Sequence, residues 1–368
     1  MRLLPSLLIS LSLAFAPLAA HAEENAATPA TALDEKTVEA IMVRAVDEVI
    51  RPGYRDFHAS AGRLTAAMNT LCGEASAPAF DAARGAFTDT IKAWSRIEIV
   101  RVGPVIEKNR FERILFYPDR KSTGLKQVQA TLASGDEKDT AVDYVATKSV
   151  AIQGLGALEY ILHGTGAETL TQEKSGFRCR YGAAVAGNIE SIAAGLVDIW
   201  EKPDGIQAAW KHPGPDNPEF RTGGEAITAL LGILVHGVET VRDQRLEIFY
   251  KGTQPKPRTA IYWHSGNTFV SITANLEGLK TLFDTSGISD LLPAERKSVA
   301  GEIDTLLDGL LAAAPTVDAD VAKAVEAPAE RQKIELLLAE TRDLILRLND
   351  DLGGALGLTA GFSFSDGD

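Results

Sequence analysis

Apolar residues recur three and four positions apart along most of this 368-residue chain and almost nowhere alternate with polar ones. That period belongs to a helix with one buried stripe, not to a strand. It predicts helices over 33–50, behind Asp34, and over 54–72, where Ala61, Leu64, Ala67, Met68 and Leu71 share one face; Pro52-Gly53 interrupts the two. Further helices are predicted over 80–102, ended or bent by Gly103-Pro104, and over 125–133, 139–163 and 177–200. After Pro203, Pro213, Pro215 and Pro218 the same grammar returns over 224–249, 260–283, 298–311 and 329–348. No strict heptad runs through these segments, so the expected fold is all-α and globular rather than an extended coiled coil. The prolines mark a natural boundary between helical halves at 34–202 and 219–350. Their similar sizes suggest duplication, although no residue-by-residue repeat is visible. Residues 351–368, with five glycines and two phenylalanines, read as a glycine-rich segment laid against the body rather than a helix.

The N-terminus adds an address to this fold. Met1-Arg2 precedes an apolar run, and Ala20-His21-Ala22 is a small-x-small site, so residues 1–22 read as a signal peptide cleaved before Glu23. As a membrane anchor the run is short and broken by proline, since a stable span needs about 20 apolar residues. No later apolar run reads as a span in the mature chain. The expected location is the periplasm, with association at the cell surface as a variant. The full chain carries a net charge of −13, and cleavage would remove only one charged residue, Arg2. This acidic balance disfavours nucleic acid and anionic lipid as partners and permits a metal ion or a small cationic ligand. Cys72 and Cys179 are the only cysteines. They can pair in an oxidising compartment if the fold brings them together, or remain two buried thiols. Two cysteines alone make no structural zinc or iron–sulfur site, so any metal needs His and carboxylate ligands.

Three clusters carry candidate chemistry. Within 153–164, Glu159 and His163 stand four apart on one helical face, where a carboxylate and an imidazole can share a metal or a hydrogen bond; an ordinary polar contact fits the spacing equally. Gly154 and Gly156 each cost a helix interior about 1 kcal/mol relative to Ala, which close packing or room for a ligand would explain. His236 and Glu239, three apart, form a second pair, and the two pairs converge only if the halves face each other. The third cluster surrounds the Gly103-Pro104 break: Trp94, Arg96, Glu98, Arg101 and Glu107, with Glu98 and Arg101 spaced for a surface ion pair. Trp263 and His264 open the predicted helix at 260–283, where the indole reads as packing. There is no H-E-x-x-H motif, no G-x-S-x-G elbow and no phosphate-binding glycine loop.

Taken in order, WSRIEIVRVGP at 94–104, FERILFYPD at 111–119, QGLGALEYILHG at 153–164, WHSGNTFVSITANLEGL at 263–279 and the final GFSFSDGD resemble the imelysin-like family, also known as the M75 peptidases. The resemblance implies two antiparallel helical bundles related by duplication, a periplasmic or surface location, and envelope iron-uptake proteins as partners. It also implies a G-x-H-x-x-E motif serving as a metal or functional site near the interface of the halves. Here Gly154 matches the first glycine and Glu159 the glutamate, but Gly156 stands at the histidine position. His163 or His236 would have to supply the missing nitrogen, or the site binds something else. An iron or other divalent metal ion therefore stays open as a cofactor. The candidate metal ligands are Glu159, His163, Glu98 and His236, with Arg101, Gly154, Gly156, Trp94 and Glu239 lining the site. The expected function is a noncatalytic periplasmic binding or accessory protein associated with iron uptake. A divergent metal-dependent peptidase and a protein-interaction scaffold are the alternatives.

Overall fold

The computed structural model describes residues 33–251 and 254–358. The signal peptide, the leader and the phenylalanine-bearing end lie outside the described residues. Asp34 caps the first helix, α1 (Glu35–Arg44), by accepting the Thr37 N–H at 2.9 Å. Pro52 does not end this helix, contrary to expectation. A π-helical turn, Ala45–Ile50, leads directly into α2 (Arg51–Glu74), with Pro52 in its first turn. The wider turn accommodates a residue that has no N–H to donate and whose ring crowds the carbonyl four residues back. Ala75, in the left-handed region at φ 49°, reverses the chain, and Ser76 caps α3 (Ala77–Ile97).

The helices that follow are α4 (Thr123–Ser134), α5 (Leu155–His163) and α6 (Phe177–Trp200), then α7 (Gly223–Glu239), α8 (Thr268–Ser286), α9 (Ser298–Ala313) and α10 (Pro328–Leu346). All regular structure among the described residues is helical, which makes the fold all-α. Helix α2 packs between α3 and α6, and α3 packs on its other side against α8, so it links the earlier and later helices. At that crossing a Cβ on Gly278 would stand 2.1 Å from the Arg96 carbonyl oxygen, so only glycine lets the backbones approach this closely. Buried side chains from Val38 to Leu356 form a continuous core, and the described residues belong to one compact unit. A disulfide joins Cys72 on α2 to Cys179 on α6, with the Cα atoms 5.5 Å apart.

Three other expectations are corrected. The predicted helix over 139–163 is instead a series of short turns, Glu137–Thr140, Val142–Val145 and Val150–Ile152, followed by α5. Gly154 is the reason at its C-terminal part. Its backbone is extended, and a Cβ there would sit 2.5 Å from the Ile114 carbonyl oxygen. Helix α8 begins at Thr268, not at 260, because Tyr262 (φ 53°) and Gly266 (φ 71°) fold the preceding residues into a tight turn. The glycine-rich end begins as helix: a further π turn, Arg347–Gly353, extends α10 and runs on to Leu356. In addition, two helices, Phe177–Trp200 and Gly223–Leu246, are long and apolar enough to cross a membrane by length and composition. Here both contribute much of their surface to the core.

Candidate functional site

Helix α5 and the turn before α8 enclose a cavity of about 120 Å³. Gly154, Gly156, Glu159 and Tyr160 line it from one side, and Arg258, Tyr262, Trp263 and His264 from the other. Glu159 is buried in its wall. Its Oε1 accepts the Ser265 N–H at 2.9 Å and lies 2.9 Å from the Ser265 hydroxyl. Loss of water pushes the carboxyl up to about 7, and the bonds from Ser265 and the His264 backbone only partly oppose this. The Tyr262 hydroxyl and His264 Nε2, both from lining residues, are buried without a hydrogen-bond partner among the described residues. Burial raises the Tyr262 phenol well above its ordinary range, and the nearby Glu98 carboxylate acts in the same direction. Burial, then the Arg258 charge, lower the His264 imidazole, whose ring stacks on the indole of Trp263 with the ring centres 3.6 Å apart. The Trp263 indole thus has a place on the cavity wall in addition to packing.

Glu98 occupies a different environment. Arg245 Nη2 donates to both of its oxygens at 3.1 Å, and Asn275 Nδ2 donates to Oε1 at 2.7 Å. Arg245 is carried inward on a π turn, Thr240–Leu246, and its guanidinium lies 4.9 Å from the centre of the Tyr117 ring. Burial works against its charge, but Glu98 more than offsets this and the guanidinium is held above its usual range. The Tyr117 and Tyr262 side chains flank the space between this ion pair and the Glu159 cavity: Tyr117 and Tyr262 line that cavity, and both sense the Arg245 charge.

The remaining sequence candidates disperse. His236 Nδ1 meets Glu239 Oε2 at 2.9 Å, as the spacing predicts, but His236 lines a separate groove together with Glu98 and Arg101. The anticipated Glu98–Arg101 pair does not form; Arg101 pairs with Glu112 at 3.2 Å and lies over the Phe111 ring. Trp94 is a core residue wedged between Phe57 and Phe111, not a site wall. His163 does not bond to Glu159. It packs 5.8 Å from the Phe87 ring, and burial followed by the Arg84 charge depresses it to about 4. Among the described residues no three His, Cys, Asp or Glu side chains converge as a metal-holding group. The four candidate ligands therefore do not form one metal centre, because Arg245 claims Glu98, Glu239 claims His236, and the Phe87 side chain lies against His163. A protein-held metal ion does not fit the donor set at Glu159, where Gly156 contributes no side chain. A Cβ at position 156 would meet nothing within 4 Å, so the space at the histidine position is open.

Arg245, Tyr117, Tyr262 and Ser265 were not singled out in the sequence. Tyr117 and Ser265 do lie inside two of the segments that carry the family resemblance, and Tyr262 immediately precedes one of them.

The comparisons with known proteins agree with this architecture. Residues 50–348 match the family model for imelysin, peptidase family M75. An imelysin-like protein from Psychrobacter arcticum 273-4 superposes with a TM-score of 0.74 at 19% identity, covering 90% of this chain and 100% of that one. A candidate iron-regulated protein A precursor from Parabacteroides distasonis ATCC 8503 gives a TM-score of 0.70 at 14% identity, over 89% of this chain and 96% of the other. No curated protein matches. With the family model spanning most of its length and the same fold in both solved structures, this chain belongs to the imelysin family.

Proposed function

We propose that this chain is a periplasmic binding or accessory protein of envelope iron uptake, and that it holds a small cationic ligand in the Glu159 cavity without cleaving peptide bonds. The observation that carries the reading is a buried carboxylate that accepts from neutral donors, in a cavity whose Tyr262 hydroxyl and His264 Nε2 have no partner among the described residues. A ligand carrying positive charge and hydrogen-bonding groups would satisfy all three. The iron association rests on the family and on the description of the Parabacteroides protein as iron-regulated. The family's peptidase name supports the alternative of a metal-dependent hydrolase. That chemistry needs an activated water and a polarised carbonyl, and the donor set around Glu159 offers no third ligand to hold a metal for either task.

The test uses chelator-free protein and its Glu159→Ala variant, titrated with Fe(II), Zn(II) and putrescine while thermal unfolding is followed at pH 6 and pH 8. A ligand bound at the carboxylate stabilises the wild type more at pH 8, where Glu159 is ionised, and does not stabilise the variant. Equal responses of both proteins to every probe would remove the cavity from the proposal. Casein cleavage that is lost with Glu159→Ala would replace it with the hydrolase.

A further inference from the structure

The turn that precedes α8 wraps the Glu159 carboxylate, and the atoms it presents there select among cations. The Ser265 N–H and the His264 backbone donate to the carboxylate, and the Tyr262 phenol is close enough to feel the same charge. Two further atoms of this turn, the Tyr262 hydroxyl and His264 Nε2, are buried without a partner among the described residues. His264 is lowered from its ordinary 6.5, so at pH 8 its ring is uncharged and one nitrogen accepts. The cavity wall thus holds three acceptors: a carboxylate, a phenol oxygen and an imidazole nitrogen. A primary ammonium carries three N–H donors and no acceptor.

Size and charge narrow the ligand further. An apolar cavity of about 150 Å³ holds benzene; this one, at about 120 Å³, takes an ammonium with a chain of about four carbons. Phe116, Leu125 and Val128 give that chain an apolar wall. The other acid on the lining, Asp119, is committed to the start of α4, where its two oxygens accept the Thr123, Gly124 and Leu125 N–H groups. Arg258 lies on the same lining, 5.9 Å from the centre of the Trp263 ring, and its charge reaches His264. A second positive charge on the ligand would therefore meet a cation and no uncommitted carboxylate.

Methylated ammonium ions are held instead by open aromatic faces. The rings here already have partners. Arg245 lies 4.9 Å from the centre of Tyr117, Arg178 lies 5.5 Å from that of Tyr160, and His264 stacks on Trp263. We infer that the Glu159 cavity is a site for a short, singly charged primary alkylammonium, whose three N–H groups meet Glu159, Tyr262 and His264 while its chain lies along Phe116, Leu125 and Val128. This rests on the reading of the cavity as a cation site and restricts it, disfavouring a divalent metal, a diamine and a quaternary ammonium.

Calorimetric titration of the mature chain at pH 8 tests this with butylammonium, its isomer tetramethylammonium, pentylammonium, and putrescine, which matches pentylammonium in length but carries a second charge. We expect butylammonium to bind at least tenfold more tightly than tetramethylammonium, and pentylammonium at least tenfold more tightly than putrescine. Tyr262→Phe removes a hydroxyl without a partner among the described residues, so the fold loses no bond there, and it should shrink the first gap more than threefold. Arg258→Gln should shrink the second gap by as much. Glu159→Gln should abolish binding of every probe. A smaller gap in either wild-type comparison, or a gap that its variant leaves within threefold of the wild type's, overturns the inference, while Glu159-dependent binding of any probe keeps the cation reading. Zn(II) or Fe(II) binding that needs Glu159, with no alkylammonium bound, has the same consequence. Absence of Glu159-dependent binding by every probe and both metals ends the inference and the cation reading together.

Discussion

Glu98 and Glu159 are almost equally removed from water, at 4% and 6% exposure, yet one faces a guanidinium and the other only neutral donors. At Glu98 the Arg245 charge and the Asn275 amide answer the carboxylate, so the pair is a finished structural unit. At Glu159 two bonds from Ser265 fall on a single oxygen, and burial leaves the acid balanced between its charged and neutral forms near neutral pH. Burial alone therefore does not mark a functional carboxylate; burial without a matched charge, beside a cavity, does so better.

The sharpest way to break this contrast is to remove one partner of the finished pair. Arg245→Ala leaves an uncompensated buried carboxylate and should lower stability by about 3–5 kcal/mol in urea unfolding at pH 7. Replacing both residues, as Glu98→Leu/Arg245→Met, should recover much of that loss. The Glu159 contrast appears as a pH dependence. Its folded value of about 7 lies above the ordinary 4.5, so the folded state binds the extra proton between these values. Its contribution is full below pH 4.5 and is lost as pH rises through 7, amounting at most to about 3 kcal/mol. Glu159→Gln should abolish that slope when stability is measured from pH 4 to 8. His163 tilts the wild-type curve the other way. Its folded value of about 4 lies below 6.5, so its contribution is present above pH 6.5 and lost as pH falls through 4. The variant curve isolates this opposite slope.

Smaller effects separate the two glycines of α5. Gly154→Ala drives a methyl into the Ile114 carbonyl and should cost about 1–3 kcal/mol as an overpacked site. Gly156→Ala enters open space and should be neutral or stabilise by up to about 1 kcal/mol through a less flexible unfolded chain. Chemical denaturation of the two variants side by side checks this; a large loss at position 156 would contradict the open space there.

Helices with a clean apolar stripe were legible in the sequence, because one buried face fixes both period and extent: α6 was predicted over 177–200 and spans Phe177–Trp200. Segments shaped by backbone contact were not. Nothing in the residue pattern at 139–154 announces that Gly154 must pass against Ile114, and nothing at 260–266 announces the reversal at Tyr262. The site was half legible. Glu159 stood out through the family motif, and the His236–Glu239 pair through its spacing. Arg245 did not, because a charged residue in a helix reads as solvent-facing until a π turn and a distant carboxylate draw it inward. Likewise, Ser265 is an ordinary serine until the turn before α8 brings its N–H to Glu159, 106 positions away in the chain.

The Cys72–Cys179 bond makes the intervening residues a closed covalent ring, and both buried glutamates lie within it. Arg245, Asn275 and Ser265, which donate to those glutamates, all lie outside the ring. Each carboxylate is therefore fixed by threading the later chain against a loop that cannot open. A protease that cuts once between Cys72 and Cys179 would release no fragment on a gel run without reductant, and the two severed ends would remain tethered around the same pair of acids.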